Sequence, residues 1–415
     1  MRQLLVIICL LPCRLPGASG AAASPRPAQG LLQRVSGDVA ERAGARCLDG
    51  TPPAYYLWAG AEPARWVIFL EGGGWCWTGA ECAERSQGDL GSSSRYPGTM
   101  ADAGGVLSMN ATMNPHFAAY SKAFVKYCDG SSFSSRREGP LDAAGRRLWL
   151  RGRANFDAVV ADLVARHGLG GAAEVVLSGG SAGGLAVLLN VDHLAELLPS
   201  RTRITGFPDA GYFADLPNVE GKFEYRSCIQ EAVPLWNSTS NLACLRANVG
   251  SEWRCLMAQY VAQHVRSPVF VMNAAIDAWQ VQHVLEVGCV PERCSAAQLA
   301  RMELYRRSFL ETLAPVRARA QNGLFINSCI MHEQNVYYCS GESEGGHGYN
   351  CQGWMRERVQ NITPQEAFLR FYLSGGGGGS ANFIVDEDPW PQNPTCSWNF
   401  TDGAPGRGAR SRIFV

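Results

Sequence analysis

The residues best suited to chemistry lie in Gly179-Gly-Ser-Ala-Gly-Gly184. A serine flanked by glycines, directly after the strand-like run Glu174–Ser178 and directly before a helical pattern, has the G-x-S-x-G arrangement of a nucleophile elbow. The glycines allow a sharp strand-to-helix turn, which exposes the Ser181 hydroxyl at the positive end of the helix that follows. A dinucleotide loop would need glycine where Ser181 stands. A serine is a poor nucleophile at neutral pH unless a base takes its proton and a third group orients that base. In the chain order Ser, Asp, His, the partners are Asp277 in Ala274-Ala-Ile-Asp-Ala-Trp-Gln280 and His332 in Ser328-Cys-Ile-Met-His-Glu333. Each follows a strand-like run, where open α/β sheets carry their sites. Asp209, in Phe207-Pro-Asp-Ala-Gly211, is the second candidate for the acid. The other histidines fit less well: His116, His167 and His193 precede or accompany Ser181, His264 stands ahead of a strand, His283 is too near Asp277, and His347 sits in a Gly-rich loop. A further chemical feature is Leu70-Glu-Gly-Gly-Gly-Trp-Cys76, also after a strand-like run. Its glycines let backbone N–H groups turn towards an oxyanion, which assigns the hole to Gly73 and Gly74 with the N–H of Ala182.

The elements that must hold these groups alternate. Trp66–Leu70, Ala123–Tyr127, Glu174–Ser178, Pro268–Asn273 and Gly323–Asn327 are short continuous apolar runs, the pattern of strands covered on both faces. Asn155–His167, Ala182–Leu198, Ala296–Arg319 and Pro364–Tyr372 carry apolar residues at three- and four-residue spacing, as helices do. The expectation is an α/β-hydrolase, with a mostly parallel central sheet and helices on both faces. A single catalytic domain is expected over 46–398, after a flexible leader at 24–45 and before a disordered tail at 399–415. The glycine run Ser374–Ser380 is expected to be a surface loop or linker.

Compartment and composition narrow the functional classes. Arg2, the apolar run Leu4–Leu11 and the small residues after Pro16 have the layout of a secretory signal peptide ending near residue 23. That apolar core is less than half the length of a membrane span. Of 15 cysteines, 13 follow that segment, and outside the cell most are expected to be paired. Cys76 with Cys82, and Cys289 with Cys294, are close enough to close small loops, and an odd number leaves at least one thiol over. There is no Cys-x-x-Cys pair and no histidine at zinc-ligand spacing, so no metal is expected. Asn110, Asn237, Asn361 and Asn399 head glycosylation sequons. Lys and Arg total 37 and Asp and Glu total 37, a balance that argues against a nucleic-acid-binding protein.

Several blocks together carry a resemblance: Leu70–Cys76, Tyr127-Cys-Asp-Gly130, Ser178–Gly184, Asn273–Gln280 and Phe325-Ile-Asn-Ser-Cys329, in that order. They resemble the pectin acetylesterase/Notum family of secreted serine esterases over residues 45–398. The resemblance implies an α/β-hydrolase fold and a triad at Ser181, Asp277 and His332, placing Asp277 ahead of Asp209. Plant-type members usually carry Cys directly after the catalytic histidine and another in a Pro-Tyr-Pro-Cys-Asn-Pro-Thr-Cys ending. Here those positions are Glu333 and Gln392, which implies one disulfide fewer. Cys339 and Cys351 are placed to brace the loop after His332 instead.

The reaction this implies is two-step acyl transfer, with no metal or organic cofactor. The blocks at Tyr127 and Asn273 are similar to the members that deacetylate pectin, which makes an acetylated cell-wall polysaccharide the expected substrate. Leu188-Leu-Asn-Val-Asp192 is also similar to the Notum branch, which removes a fatty acyl group from a protein. Trp75 and Trp279, with Trp77, are expected near the site, to stack on sugar rings, line an acyl pocket or pack the core. A catalytically silent hydrolase-fold protein that binds glycans is the remaining reading.

Overall fold

Alternate residues of the central strands face two different cores. In β3 (Glu62–Leu70), Trp66, Ile68 and Leu70 join the larger apolar cluster while Val67 and Phe69 join the other. β11 (Gly323–Met331) divides in the same way, with Leu324 and Ile326 on one side and Phe325 on the other. A strand whose two faces are both buried needs cover on both. The helices Gly152–His167 and Ala182–Leu197 supply it on the first face, and Pro364–Leu373 supplies it on the second.

The computed structural model describes residues 29–289, 293–335 and 353–396. The remaining strands are β1 (Gly30–Arg34), β2 (Ala54–Trp58), β4 (Thr99–Met100), β5 (Tyr120–Val125), β6 (Leu141–Ala143), β7 (Arg146–Leu148), β8 (Glu174–Gly180), β9 (Arg203–Asp209), β10 (Phe270–Asp277) and β12 (Phe383–Val385). Ten of the twelve strands among the described residues form one sheet in the order β12-β11-β10-β9-β8-β3-β5-β2-β1-β4, and β6 and β7 pair separately as a hairpin. The contacts from β12 through to β5 are parallel, while β2, β1 and β4 close the far edge with antiparallel pairings. The α/β-hydrolase expectation of a mostly parallel sheet covered on both faces agrees with this architecture.

Two boundaries are corrected. The expected leader at 24–45 is not loose across its second half: Leu31 to Arg34 pair with Leu57 to Ala54, and Gly37–Ala43 is a helix ended by Gly44 in the left-handed region. Both prolines of that stretch, Pro25 and Pro27, precede residue 30. The expected helix Ala296–Arg319 is two helices, Ala296–Thr312 and Ala314–Arg317. Pro315 cannot donate to the preceding turn, and it begins the second helix instead. The glycine run after Ser374 is a series of turns ending in the short 3-10 helix Gly379–Asn382.

Among the described residues five disulfides close loops, including the expected Cys76–Cys82 and Cys289–Cys294. The others are Cys47–Cys128, Cys244–Cys255 and Cys329–Cys396. Cys228 is the free thiol among the described residues. The signal segment 1–23, His347, Cys339, Cys351, Asn399 and the tail 399–415 lie outside the described residues.

Candidate active site

Ser181 sits between β8 and the helix Ala182–Leu197, with φ 53° and ψ −124°. That backbone is costly for a non-glycine residue, by about 1–3 kcal/mol, and persists only where the surroundings enforce it. Here they do. The Ser181 N–H donates to the Asp209 carbonyl at 2.9 Å, and the glycines around it admit neighbouring backbone. A Cβ on Gly183 would stand 2.0 Å from the Leu70 carbonyl oxygen, and one on Gly179 would stand 2.4 Å from the Gly183 oxygen. The G-x-S-x-G spacing therefore reflects three chain segments crossing at one point.

The parallel order of β8, β9, β10 and β11 puts their C-terminal ends side by side. Asp277 ends β10 and His332 directly follows β11. His332 Nε2 lies 2.8 Å from Ser181 Oγ, and His332 Nδ1 lies 2.8 Å from Asp277 Oδ2. The other Asp277 oxygen accepts the Gln280 N–H at 2.9 Å as the N-cap of Ala278–His283, which fixes the carboxylate's orientation. Asp277 is 1% exposed and the His332 side chain 11%, so the pair is shielded from water while the ring still reaches the surface. Burial acts to lower the His332 pKa, but the charge and hydrogen bond of Asp277, followed by the carboxylates of Glu333 and Asp209, outweigh it and hold the imidazole up at about 9.

Of the two acids considered, Asp277 therefore contacts the imidazole. Asp209 does something else: its Oδ2 accepts the N–H groups of Gln334 and Asn335, both at 2.6 Å. The Asn335 amide also donates to Ser178 Oγ at 2.9 Å. Asp209 thus fastens the loop that carries His332 back onto the elbow strand. Burial pushes its carboxyl well above the usual range, against the pull of those two N–H groups.

The loop after β3 crosses over the nucleophile. A Cβ on Gly72 would meet the Gly180 carbonyl at 2.6 Å and Ser181 Cβ at 2.8 Å. Gly73 (φ 127°) and Gly74 (φ 62°) adopt backbone that favours glycine. Among the described residues their N–H groups have no acceptor. The loop is anchored on both sides: Glu71 accepts the Tyr127 N–H at 2.7 Å and pairs with Lys126, and the Tyr127 hydroxyl donates to the Gly74 carbonyl at 2.9 Å. The Ala182 N–H opens a helix, so it has no carbonyl partner within that helix.

Trp75 and Trp279 belong to an aromatic group with Trp77, Phe213 and Tyr225, with ring centroids 4.9 Å (Trp75–Phe213), 5.1 Å (Phe213–Trp279) and 5.5 Å (Trp75–Trp279) apart. Phe213 reaches to 6.3 Å from the His332 ring. Trp75 is buried, its indole N–H held by Ser132 Oγ at 2.8 Å, whereas Trp279 and Trp77 are half-buried. Glu333 is the residue that motif reading passed over as a site member. It has φ 62°, and its carboxylate packs against the elbow, where a Cβ on Gly180 would stand 2.7 Å from Oε1. Burial, with Asp277 and Glu71, pushes it up to about 6, against the opposing charge of His332. Its signals in the sequence were its position next to His332 and its place where plant-type members of the family carry Cys.

Comparison with known proteins places this chain in a class, that of carboxylic ester hydrolases. The pectinacetylesterase family model matches residues 33–397. Pectin acetylesterase 5 of Arabidopsis thaliana is 32% identical over 388 residues, covering 89% of this chain and 86% of that protein. The palmitoleoyl-protein carboxylesterase notum1a of Danio rerio is 28% identical over 397 residues, covering 90% of this chain and 74% of the relative. The structure of the Wnt deacylase Notum from Drosophila shares the fold with a TM-score of 0.76 and 23% identity, covering 89% of this chain and 99% of that one. The chain belongs to the pectinacetylesterase family.

Proposed function

We propose that this protein is a secreted serine esterase that removes acetyl groups from a cell-wall polysaccharide such as pectin. The observation that carries the mechanism is the continuous hydrogen-bonded chain from Ser181 through His332 to Asp277. With Nδ1–H donating to Asp277, Nε2 is free to accept the Ser181 proton as Oγ bonds to the ester carbonyl carbon. The Gly73, Gly74 and Ala182 N–H groups hold the resulting oxyanion, and losing one such donor costs about 10²–10³ in rate. Collapse breaks the bond to the sugar oxygen, which takes the proton from His332. Water then gives its proton to His332 and attacks the acetyl-enzyme, releasing acetate and restoring Ser181.

The acetyl preference draws on the aromatic wall. Trp75, Phe213, Tyr225 and Trp279 pack on one another beside His332, and so compact a wall favours a two-carbon acyl group over a long chain. The half-buried Trp279 is assigned to stack on a sugar ring, and Trp75 to support it. Five disulfides fit an oxidising compartment, and no helix among the described residues is long and apolar enough to cross a membrane. Asn110, Asn237 and Asn361 are exposed, as glycan acceptors must be.

The test is acetate release from acetylated pectin, set against hydrolysis of p-nitrophenyl esters from acetate to palmitate. Preference for acetyl supports the proposal; preference for long chains assigns the site to lipid or protein deacylation. Labelling by a serine-directed phosphonate, abolished in Ser181→Ala, separates an esterase from a silent binding protein.

A further inference from the structure

A cavity of about 530 Å³ lies along the far half of the helix that Ser181 begins. Leu189, Asp192, His193 and Glu196 form one of its walls, so it is separate from the hydroxyl at the other end of that helix. Four arginines from separate stretches line it: Arg136, Arg153, Arg246 and Arg266.

The charges in this cavity are unequally partnered. All three carboxylates are engaged. Asp157 binds the His193 ring at 2.7 Å, and Glu196 binds Arg266 at 2.9 Å. Asp192 accepts the Asn241 amide at 2.8 Å, together with the N–H groups of Arg266 and Ser267 and the Ser267 hydroxyl, all at 2.9 Å. It thereby holds the chain entering β10. Among the described residues Arg136, Arg153 and Arg246 form no ion pair. Arg153 is 6% exposed; one of its terminal nitrogens donates to the Leu189 carbonyl at 3.4 Å, and its Nε has no acceptor at all. Asp157 and Glu196 lie near enough to act on the Arg153 charge but bind His193 and Arg266 instead, so the buried guanidinium keeps an unmet donor and no paired carboxylate, which is unfavourable. An incoming planar oxyanion relieves it, because the guanidinium fork matches a carboxylate.

The rest of the lining selects among anions. Thr239 adds a half-buried hydroxyl of the kind that binds a sugar hydroxyl, Ser240 and Asn241 being taken up by the Cys255 carbonyl and Asp192, and the volume fits a mono- or disaccharide. We propose that this cavity is a binding site for a carboxylate-bearing sugar, with Arg153 at its base and Arg136 and Arg246 at its exposed rim. The proposal stands on the cavity alone and does not depend on the esterase reading.

The test is calorimetric titration of the full chain, deglycosylated and carrying Ser181→Ala, with digalacturonate, galactobiose and inorganic phosphate. Digalacturonate is expected to bind, to weaken at least tenfold in Arg136→Ser/Arg246→Ser, and to weaken as salt rises. Galactobiose is expected not to bind. The double variant changes two exposed side chains and leaves the buried Arg153 in place, so its folding, checked by circular dichroism, is expected to be normal. Three results would overturn the proposal: no binding of digalacturonate at millimolar concentration, equal binding by the double variant, or phosphate binding without digalacturonate binding. Because Ser181 is absent throughout, none of them bears on ester hydrolysis.

Discussion

Glu333→Gln should make this enzyme more active at neutral pH. His332 is held at about 9, against an ordinary 6.5, by Asp277 and then Glu333 and Asp209, with burial opposing them. An imidazolium cannot accept the Ser181 proton, so the base is in its working form only above that pKa. Glutamine keeps the volume of Glu333 and removes one negative charge. In general, two unit charges about 6–8 Å apart at an effective dielectric near 20 interact by about 2–3 kcal/mol. Asp277, which also hydrogen-bonds the ring, makes the larger contribution, so we assign Glu333 about half of that figure, about 1.4 kcal/mol or one pH unit. The sign follows: with less negative charge nearby, the imidazolium is less stabilised and the base frees its lone pair at lower pH. At pH 7 the neutral fraction rises from about 1% to about 10%, so kcat/KM rises about tenfold, while the two enzymes converge above pH 10. The assay is kcat/KM for p-nitrophenyl acetate from pH 5 to 10.5 at constant ionic strength, corrected for spontaneous hydrolysis. Glu333→Asp, which keeps the charge, should follow the parent profile. An acid limb that stays in place or moves upward in Glu333→Gln would refute the electrostatic reasoning.

Three further outcomes are expected. Asp277→Asn should lower kcat by about 10³–10⁴ with little change in KM, measured on the same ester, because the imidazole loses its fixed tautomer and its counter-charge. Cys329→Ser with Cys396→Ser opens a bridge of sequence separation 67, three residues before His332, and should cost up to about 4 kcal/mol of unfolding free energy in urea titration. Gly183→Ala should lose more than about 3 kcal/mol or fail to fold, since its Cβ would lie 2.0 Å from the Leu70 carbonyl oxygen. Gly139→Ala, with nothing within 4 Å, is the neutral control, and both are read by thermal unfolding.

How far the site was legible depended on how local its signals were. The elbow at Ser181 could be read because its glycines, the strand before it and the helix after it lie within one short stretch. Asp277 and His332 could be read because each ends a strand of recognisable apolar pattern, and the family blocks ordered them. The choice between Asp277 and Asp209 was less secure on local grounds, since both end buried strands and look alike along the chain. Strand order separates them: β10 and β11 are neighbours in the sheet, which puts Asp277 beside His332, while Asp209 on β9 is left facing the N–H groups of the following loop.

By itself the amino-acid sequence determined the alternation of elements, the strained serine turn and the inventory of reactive groups, because hydrophobic period and glycine placement act over a few residues. Only the tertiary structure decided what surrounds those groups. It drew residues 30–34 into the sheet edge, although their flanking composition suggested a tail. It buried Glu333 against the elbow, where its charge acts on the imidazole, and left the Arg153 Nε without an acceptor in a distant cavity. Charge interactions and desolvation depend on distances through space between residues far apart in the chain, and those distances exist only once the sheet has closed its order.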